Sequence, residues 1–387
     1  MACKTENGIG DTEAEEFNLT SFLNASIGNF TASSHPHPGS GLQPHDSVSN
    51  AITRYIIPSV LSFGIVGNTL NLGLFGHRFG FRGHHLELLE RSALAGLTAL
   101  ALSDLLFCVI GVLVVALPRP VPGSTGVSPD GSGLMLVSYY YSIYKHALQN
   151  WFLFTSTWLT VVISLERFVV VGRPLKARWH LRARNSVIIY LFTFVVGGIV
   201  SLPLFLRHHV VRMSCPRVPS CTCNYVLPRA IFLHTGFRAL YNVFWIVCGH
   251  VVPTVILAVA NGRLLWVLYR SRARGIANPA RYGCTSITVT VIAIVFSFLL
   301  LVCPSMVFES IYLLSVVSGS GVERLASGFR MAIAITNLMQ AVKFSVNFLL
   351  YCGVLKQFRK TINDVATCQK GNSRLESLRS SAKPTPL

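Results

Sequence analysis

Formal charge is scarce in this chain of 387 residues, since Asp, Glu, Lys and Arg together make up 12% of it. A typical soluble domain carries about 25% charged residues. Hydrophobic residues make up 51% of the chain, which excludes a disordered protein and argues against a soluble globular one. Acidic residues are the rarest charges, with 15 Asp and Glu against 33 Lys and Arg, for a net charge of +18. Such a balance is typical of proteins that contact nucleic acid or a membrane surface.

Seven apolar runs are long enough to cross a bilayer as helices, which takes about 20 residues each. The formal charges inside them are Asp104 in the second run, Lys145 in the third and Lys343 in the seventh. The runs, numbered as spans 1 to 7, cover residues 55–76, 92–117, 134–165, 185–206, 239–262, 282–308 and 331–355. The sequence therefore predicts an all-α membrane protein with a seven-transmembrane helix bundle.

The distribution of Lys and Arg predicts the orientation of the bundle. These residues cluster after spans 1, 3, 5 and 7, and cytoplasmic segments carry such an excess. We therefore expect residues 1–54 to form an extracellular tail, residues 55–355 the bundle, and residues 356–387 a cytoplasmic segment. The basic excess is then explained by topology and membrane lipid, so nucleic acid is not an expected partner.

The expected extracellular tail contains three Asn-x-Ser/Thr glycosylation acceptors, Asn18, Asn24 and Asn29. The chain does not begin with the basic segment, apolar segment and cleavage site that mark a signal peptide. We therefore expect span 1 to be an uncleaved anchor in the plasma membrane. The polar composition of residues 1–50 and 364–387 predicts disorder.

A set of short motifs recurs in chain order through the bundle. They are Gly67-Asn68, Leu100-Ala101-Leu102-Ser103-Asp104, Glu166-Arg167-Phe168, the prolines Pro203, Pro253 and Pro304 in spans 4 to 6, and Asn347-Phe348-Leu349-Leu350-Tyr351. In order and spacing they resemble the rhodopsin-like (class A) G-protein-coupled receptors over about residues 55–362. Residues 355–360 look like the short amphipathic helix 8 of that family. The Asn347 segment and the Glu90-Arg91-Ser92-Ala93 start of span 2 look most similar to FMRFamide-type and related neuropeptide receptors.

The resemblance implies roles in activation and G-protein coupling for Glu166, Arg167, Asn347 and Tyr351. Paired with Glu166, Arg167 would hold the inactive state, and an outward swing of span 6 would free it to contact a heterotrimeric G protein. An ion pair of this kind can bias two packings by roughly a few kcal/mol. A flanking positive-inside charge is the plainer interpretation of Arg167.

Asp104 and Lys343 are formal charges near the middle of the membrane, where charges are costly and usually functional. By resemblance, Asp104 corresponds to the carboxylate of a sodium site, with Ser156 as a further ligand. Our hypothesis is that the Lys343 ammonium pairs with Asp104 and replaces the sodium ion. The alternative is that Lys343 extends toward the membrane surface or binds ligand.

Three positions depart from the family pattern. Val302 stands where many members have an aromatic residue two positions before the span 6 proline, and Phe348 replaces the span 7 proline. Ser142 stands where members have the span 3 cysteine, so the usual disulfide cannot form. We expect a bridge within the loop between spans 4 and 5 instead, from Cys215 to Cys221 or Cys223.

The outer halves of spans 3, 5, 6 and 7 are the expected ligand pocket. Its polar candidates are Lys145, Gln149, Tyr241, Glu309, Asn337 and Gln340, each of which is as plausible as an ordinary helix-end side chain. An acidic residue is missing from the outer half of span 3, which argues against a monoamine. Glu309 could hold a basic residue of a peptide through charge-assisted hydrogen bonds.

The sequence shows no nucleotide loop, metal cluster or nucleophile constellation, so we expect neither an enzyme nor a cofactor. The favoured function is a receptor that binds an extracellular peptide and activates heterotrimeric G proteins, with arrestin as a partner of the Ser- and Thr-rich tail. Alternatives are a receptor-like protein with a non-peptide ligand or no signalling and, less favoured, a transporter or a membrane hydrolase.

Overall fold

The computed structural model of the chain describes residues 44–82, 88–117, 133–172, 183–214, 222–273, 282–317 and 326–354. Within these residues, seven helical segments are long and apolar enough to cross a membrane, which confirms the predicted fold class. Each keeps its span number. The segments are Pro44–Ala51, Ile52–Ile56 and Ile57–Arg82 (span 1), Leu88–Ala116 (span 2), Gly133–Gly172 (span 3), Ala183–Phe205 (span 4), Thr235–Trp245, Ile246–Val251 and Val252–Ala273 (span 5), Tyr282–Val317 (span 6) and Ala326–Val354 (span 7).

Several helices extend beyond the apolar runs. The helix of span 1 begins at Pro44, so the predicted disorder of residues 44–50 is wrong. Span 6 continues past Glu309 to Val317, and span 3 continues to Gly172. Hydropathy detects only the part of a helix that lies in lipid, whereas helical hydrogen bonds continue into polar residues outside it.

Two short π-helical segments lie just before prolines. Ile52–Ile56 precedes Pro58 in span 1, and Ile246–Val251 precedes Pro253 in span 5. Proline has no N–H, and its ring collides with the carbonyl four residues earlier. The wider turn of a π-helix accommodates the proline ring without ending the helix. In span 5, the Trp158 indole of span 3 donates to the Cys248 carbonyl at 3.1 Å.

A β-hairpin connects spans 4 and 5, in a loop for which the sequence predicted no strand. Strand β1 is His208–Ser214 and strand β2 is Thr222–Pro228, paired antiparallel with His208 opposite Pro228 and Ser214 opposite Thr222. A short helix, Ala230–Leu233, leads from the hairpin into span 5.

Span 3 forms the centre of the bundle. It packs against spans 2, 4, 5 and 6, while span 1 packs against spans 2 and 7. In the apolar window of span 3, 67% of residues are buried, against 22% in span 4. The outer helix faces expose large apolar side chains such as Phe192, Phe296 and Leu300. Such faces are stable only against lipid tails, so they support a membrane bundle.

Candidate functional site

A buried ion pair joins spans 2 and 7 in the middle of the bundle. Asp104 and Lys343 are 0% and 1% exposed, and Lys343 Nζ lies 3.2 Å from Asp104 Oδ1. The ammonium also donates to Ser156 Oγ at 2.6 Å, and that hydroxyl donates to Asp104 Oδ1 at 2.7 Å. Asn347 Nδ2 donates to the second carboxylate oxygen. Both oxygens of the Asp104 carboxylate are therefore hydrogen-bonded.

These residues do not fit a sodium ion. A sodium site needs the Asp104 carboxylate and the Ser156 hydroxyl to face a shared cation position. In this chain the Lys343 ammonium contacts Asp104 Oδ1 and Ser156 Oγ and supplies the positive charge itself. Among the described residues, no group of three or more His, Cys, Asp or Glu side chains could hold a metal ion either.

Aromatic and aliphatic side chains enclose the ion pair. Lys343 Nζ lies 3.9 Å from the centre of the Phe344 ring, and Phe344 stacks on Phe107 with ring centres 3.8 Å apart. Phe298 and Val302 of span 6 are fully buried in the same core. In such surroundings an ion pair is weakly screened, and removal of either partner leaves an uncompensated buried charge.

Hydrogen bonds to the backbone join spans 1 and 7 next to the ion pair. Asn68 Nδ2 donates to the Phe344 carbonyl at 2.9 Å, and Ser345 Oγ lies 2.9 Å from the Val60 carbonyl. A Cβ at Gly64 would lie 2.8 Å from Cys108 Sγ, so only glycine allows this approach. The Asn68 bond therefore fixes span 7 against span 1 at Phe344, the residue that follows Lys343.

The C-terminal half of span 3 carries the second charged pair. Arg167 and Glu166 are 1% and 5% exposed, but Arg167 Nη2 lies 4.0 Å from Glu166 Oε2, a long distance for an ion pair. The same oxygen accepts shorter bonds from Tyr190 at 2.7 Å and from Ser92 at 2.9 Å. Hydroxyls of spans 4 and 2 thus contact Glu166 more closely than Arg167 does.

Tyr351 lies near the C-terminal end of span 7. It is fully buried, and its ring meets Phe75 of span 1 edge to face with ring centres 5.4 Å apart. Span 7 thus carries Lys343, Asn347 and Tyr351 toward the bundle interior at helical spacing.

A profile of the family described as "7 transmembrane receptor (rhodopsin family)" matches residues 96–351 of the chain. The match includes Asp104, Arg167 and Lys343, and it covers spans 2 to 7. The chain belongs to this family. It is a multi-pass membrane protein and a receptor rather than an enzyme, and coupling to G proteins is general to its family.

Several relatives of the receptor are named for peptides. The B1 bradykinin receptor of Macaca mulatta is 25% identical over 329 residues, 82% of each chain. The sex peptide receptor of Drosophila melanogaster is 25% identical over 249 residues, which cover 58% of this chain and 54% of that one. Sex peptide receptor-related protein 2 of Caenorhabditis elegans is 23% identical over 225 residues, or 53% and 49%.

The ligand candidates of the receptor lie at helix seams. The Gln149 amide faces span 2, since a Cβ at Gly111 would lie 3.3 Å from its Nε2. The Tyr241 hydroxyl donates to the Val200 carbonyl of span 4 at 3.1 Å, and Gln340 contacts Ser305 of span 6. Lys145 is half-buried and Asn337 is exposed. The contacts of Gln149, Tyr241 and Gln340 therefore join three different pairs of neighbouring helices.

Basic groups gather at the outer ends of spans 3 and 4. His146 lies within electrostatic reach of Lys145, Arg207 and His208, and Tyr144 of span 3 meets Phe205 of span 4 with ring centres 6.1 Å apart. Burial, together with the smaller effects of the Arg207 and His209 charges, lowers the pKa of His208 to about 4. His208 is therefore neutral at pH 7.

Some predicted features fall outside the described residues. These are the acceptors Asn18, Asn24 and Asn29, the cysteines Cys215 and Cys221, the expected helix 8 at residues 355–360 and the tail beyond it. The backbones of Cys223 and Glu309 are described, in β2 and span 6, but their side chains are not.

Sequence reasoning missed the hydroxyls of Ser92, Ser186 and Tyr190 around Glu166, and that of Tyr141. The Tyr141 hydroxyl donates to the Ile110 carbonyl at 2.6 Å and joins the outer halves of spans 3 and 2, near the position where the family cysteine is absent. A tyrosine within an apolar span needs a hydrogen-bond partner, and this signal could have drawn attention to Tyr190 and Tyr141.

Proposed function

We propose that the chain is a plasma-membrane receptor for a small extracellular peptide and that it activates heterotrimeric G proteins. The observation that carries this proposal is the similarity to the B1 bradykinin receptor over 82% of both chains. Two shorter matches, to a sex peptide receptor and to a sex peptide receptor-related protein, favour the same ligand class. The narrower proposal, an FMRFamide-type neuropeptide receptor, rests on the Asn347 segment and on the residues that open span 2.

The proposed mechanism is a shift between two packings of the bundle. A peptide held by the outer halves of spans 3, 5, 6 and 7 stabilises a packing in which the cytoplasmic ends of spans 3, 5 and 6 separate. Arg167, which is buried in the described packing, then becomes accessible to the G protein. The 4.0 Å distance between Arg167 Nη2 and Glu166 Oε2 supports this role, because it is longer than that of a direct, charge-assisted hydrogen bond.

The proposal is tested by measuring GTP exchange in cells that express the receptor, against a pooled library of amidated peptides. Arg167→Ala is compared with Arg54→Ala, which removes an exposed arginine of span 1 far from the cytoplasmic end. We expect a response in the wild type and in Arg54→Ala, and none in Arg167→Ala at equal surface expression.

The other outcomes each have a distinct meaning. A response in Arg167→Ala would keep the peptide receptor and reject the role of Arg167. Silence of the wild type, with the protein at the cell surface, would favour a non-peptide ligand or a receptor that does not signal.

We also propose that Lys343 replaces the sodium ion that the family resemblance implies beside Asp104. The contacts of the ammonium with Asp104 Oδ1 and Ser156 Oγ support this proposal. Wild-type receptor should show the same thermal stability and agonist affinity in sodium chloride as in choline chloride. The Lys343→Asn variant should have a higher thermal stability in sodium chloride than in choline chloride. A wild type that responds strongly to sodium would refute the replacement.

A further inference from the structure

Glu166 lies at a junction of spans 2, 3 and 4 that the pairing with Arg167 does not explain. Its Oε2 accepts from the Tyr190 hydroxyl at 2.7 Å and from Ser92 Oγ at 2.9 Å, while Arg167 remains 4.0 Å away. Its other oxygen, Oε1, has no hydrogen-bond partner among the described residues. The carboxylate is therefore turned toward spans 2 and 4.

The direction of each hydrogen bond follows from counting protons. A hydroxyl has one proton to donate. Ser92 donates its proton to Glu166, so the 2.8 Å contact between Ser92 and Ser186 must use the proton of Ser186. Tyr190 lies 2.7 Å from the carboxylate and 3.3 Å from the Ser92 carbonyl, so its proton points to the carboxylate. Two aligned donors thus serve one oxygen of Glu166.

The fold provides a specific space for the Tyr190 ring. Gly96 of span 2 lies beside it, and a Cβ there would come 2.7 Å from the Tyr190 hydroxyl oxygen and 2.9 Å from Ile163 Cγ1. Tyr190 is itself 3% exposed. A methyl group at residue 96 would therefore displace the hydroxyl from Glu166 without removing any polar group.

We propose that Tyr190 and Ser92 are positioning residues that compete with Arg167 for Glu166 and thereby keep the Arg167 pair loose. Hydrogen bonds to a charged group are stronger than bonds between neutral groups. A buried carboxylate that loses one of them must find another donor. Arg167 is the neighbouring residue and carries five N–H donors. Without the Tyr190 hydroxyl, the carboxylate turns to Arg167, and the inactive packing is held more firmly.

This inference rests on the proposed coupling to G proteins, and its test needs no identified peptide. The measurement is equilibrium binding of purified receptor to nucleotide-free heterotrimeric G proteins, one from each major class, with thermal unfolding recorded for every variant. We expect Tyr190→Phe to bind about three- to tenfold more weakly than the wild type. Glu166→Gln should bind more tightly, because it removes the partner of Arg167.

One further variant and two controls test the geometry. Gly96→Ala should weaken binding in the same direction as Tyr190→Phe. Gly73→Ala, a glycine of span 1 with nothing within 4 Å of an added Cβ, should not. Thr193→Val removes a span 4 hydroxyl that bonds only its own helix, at the Ile189 carbonyl, and should also leave binding unchanged.

A double variant separates positioning from simple support of the fold. In the Glu166→Gln background, Tyr190→Phe should have no further effect on G-protein binding, because the contested carboxylate is gone. A role in stability alone would lower the unfolding temperature in both backgrounds and leave G-protein affinity unchanged.

Each remaining outcome overturns a stated claim. Unchanged or tighter binding by Tyr190→Phe would reject the competition and would indicate that the hydroxyl itself holds the inactive packing or does nothing to it. A wild type that binds none of the G proteins would remove the proposed coupling, and this inference with it.

Discussion

Asp104 and Lys343 are both buried in the core of the receptor, and the stability of each charge depends on the other. The Asp104 carboxylate accepts hydrogen bonds from Ser156, Asn347 and Lys343. The Lys343 ammonium supplies the positive charge that balances the carboxylate. At this scale the proposed replacement of a sodium ion depends on one side chain, since the Lys343 ammonium contacts Asp104 and Ser156 directly.

Removing one charge of this pair should destabilise the receptor more than removing both. Asp104→Asn and Lys343→Met should each lower the free energy of unfolding by about 3–5 kcal/mol, because each leaves an unpaired buried charge. The double variant should recover most of this loss. Thermal unfolding of purified receptor measures all three, and additive losses in the double variant would show that the two charges are not coupled.

Glu309 is the acidic candidate in the outer half of span 6, and its neutralisation tests the predicted ligand contact. If it holds a basic residue of the peptide, Glu309→Gln should lower peptide potency at least about tenfold, the loss expected for a charge-assisted hydrogen bond. Glu90→Gln, near the cytoplasmic start of span 2, is the matched control. Unchanged potency would exclude Glu309 from the site.

At the scale of elements, the register of the hairpin strands favours one of the two predicted disulfides. Met213 lies opposite Cys223 and Ser214 opposite Thr222, and Cys215 and Cys221 are the next residues of each strand. Directly opposite residues approach within about 4.5–5.5 Å, whereas diagonal ones lie roughly 7–8 Å apart. A disulfide usually needs Cα atoms within about 6.8 Å. We therefore expect Cys215 to pair with Cys221, with Cys223 outside this bridge.

Peptide mapping of non-reduced receptor by mass spectrometry checks this pairing. The expected product links Cys215 to Cys221 and disappears in Cys221→Ser. A fragment that links Cys215 to Cys223 would contradict the extrapolated register.

The hairpin should also make the receptor sensitive to acid. Burial, Arg207 and His209 lower the pKa of His208 to about 4, whereas an unfolded histidine titrates at about 6.5. Between these values the unfolded state binds a proton that the folded state does not, so stability falls as pH falls. His208→Gln should lose less thermal stability than the wild type between pH 7 and 4.5. His234→Gln, an exposed histidine, is the control, and equal losses in all three proteins would refute the assignment.

At the scale of the whole molecule, orientation follows from charge. Lys and Arg cluster on the segments after spans 1, 3, 5 and 7, which predicts that the N-terminal tail lies outside the cell. Asn18, Asn24 and Asn29 should therefore carry glycans. Digestion with an N-glycosidase should shift the electrophoretic mobility of the wild type and leave the triple Asn→Gln variant unchanged. A wild type without any shift would argue against an exported tail.

The seven-helix architecture was predictable because it depends on composition over stretches of about 20 residues. The bounds were not, as Pro44 and Val317 show, because hydrogen bonds extend a helix past the lipid. The β-hairpin lies in the loop between spans 4 and 5, where hydropathy has no signal. For the candidate site, charge scarcity singled out Asp104 and Lys343 directly. Hydroxyl groups are too common in the chain for Ser92 or Ser186 to stand out in this way.

The amino-acid sequence by itself determined the bundle, its family and its expected orientation, because each depends on which residue types occur in order along the chain. Only the tertiary structure decided which groups contact Glu166. Ser92, Glu166 and Tyr190 come from three helices, and hydrogen bonds of 2.7 and 2.9 Å depend on helix rotation and on the space beside Gly96. Those quantities arise from packing, which no local pattern of residues encodes.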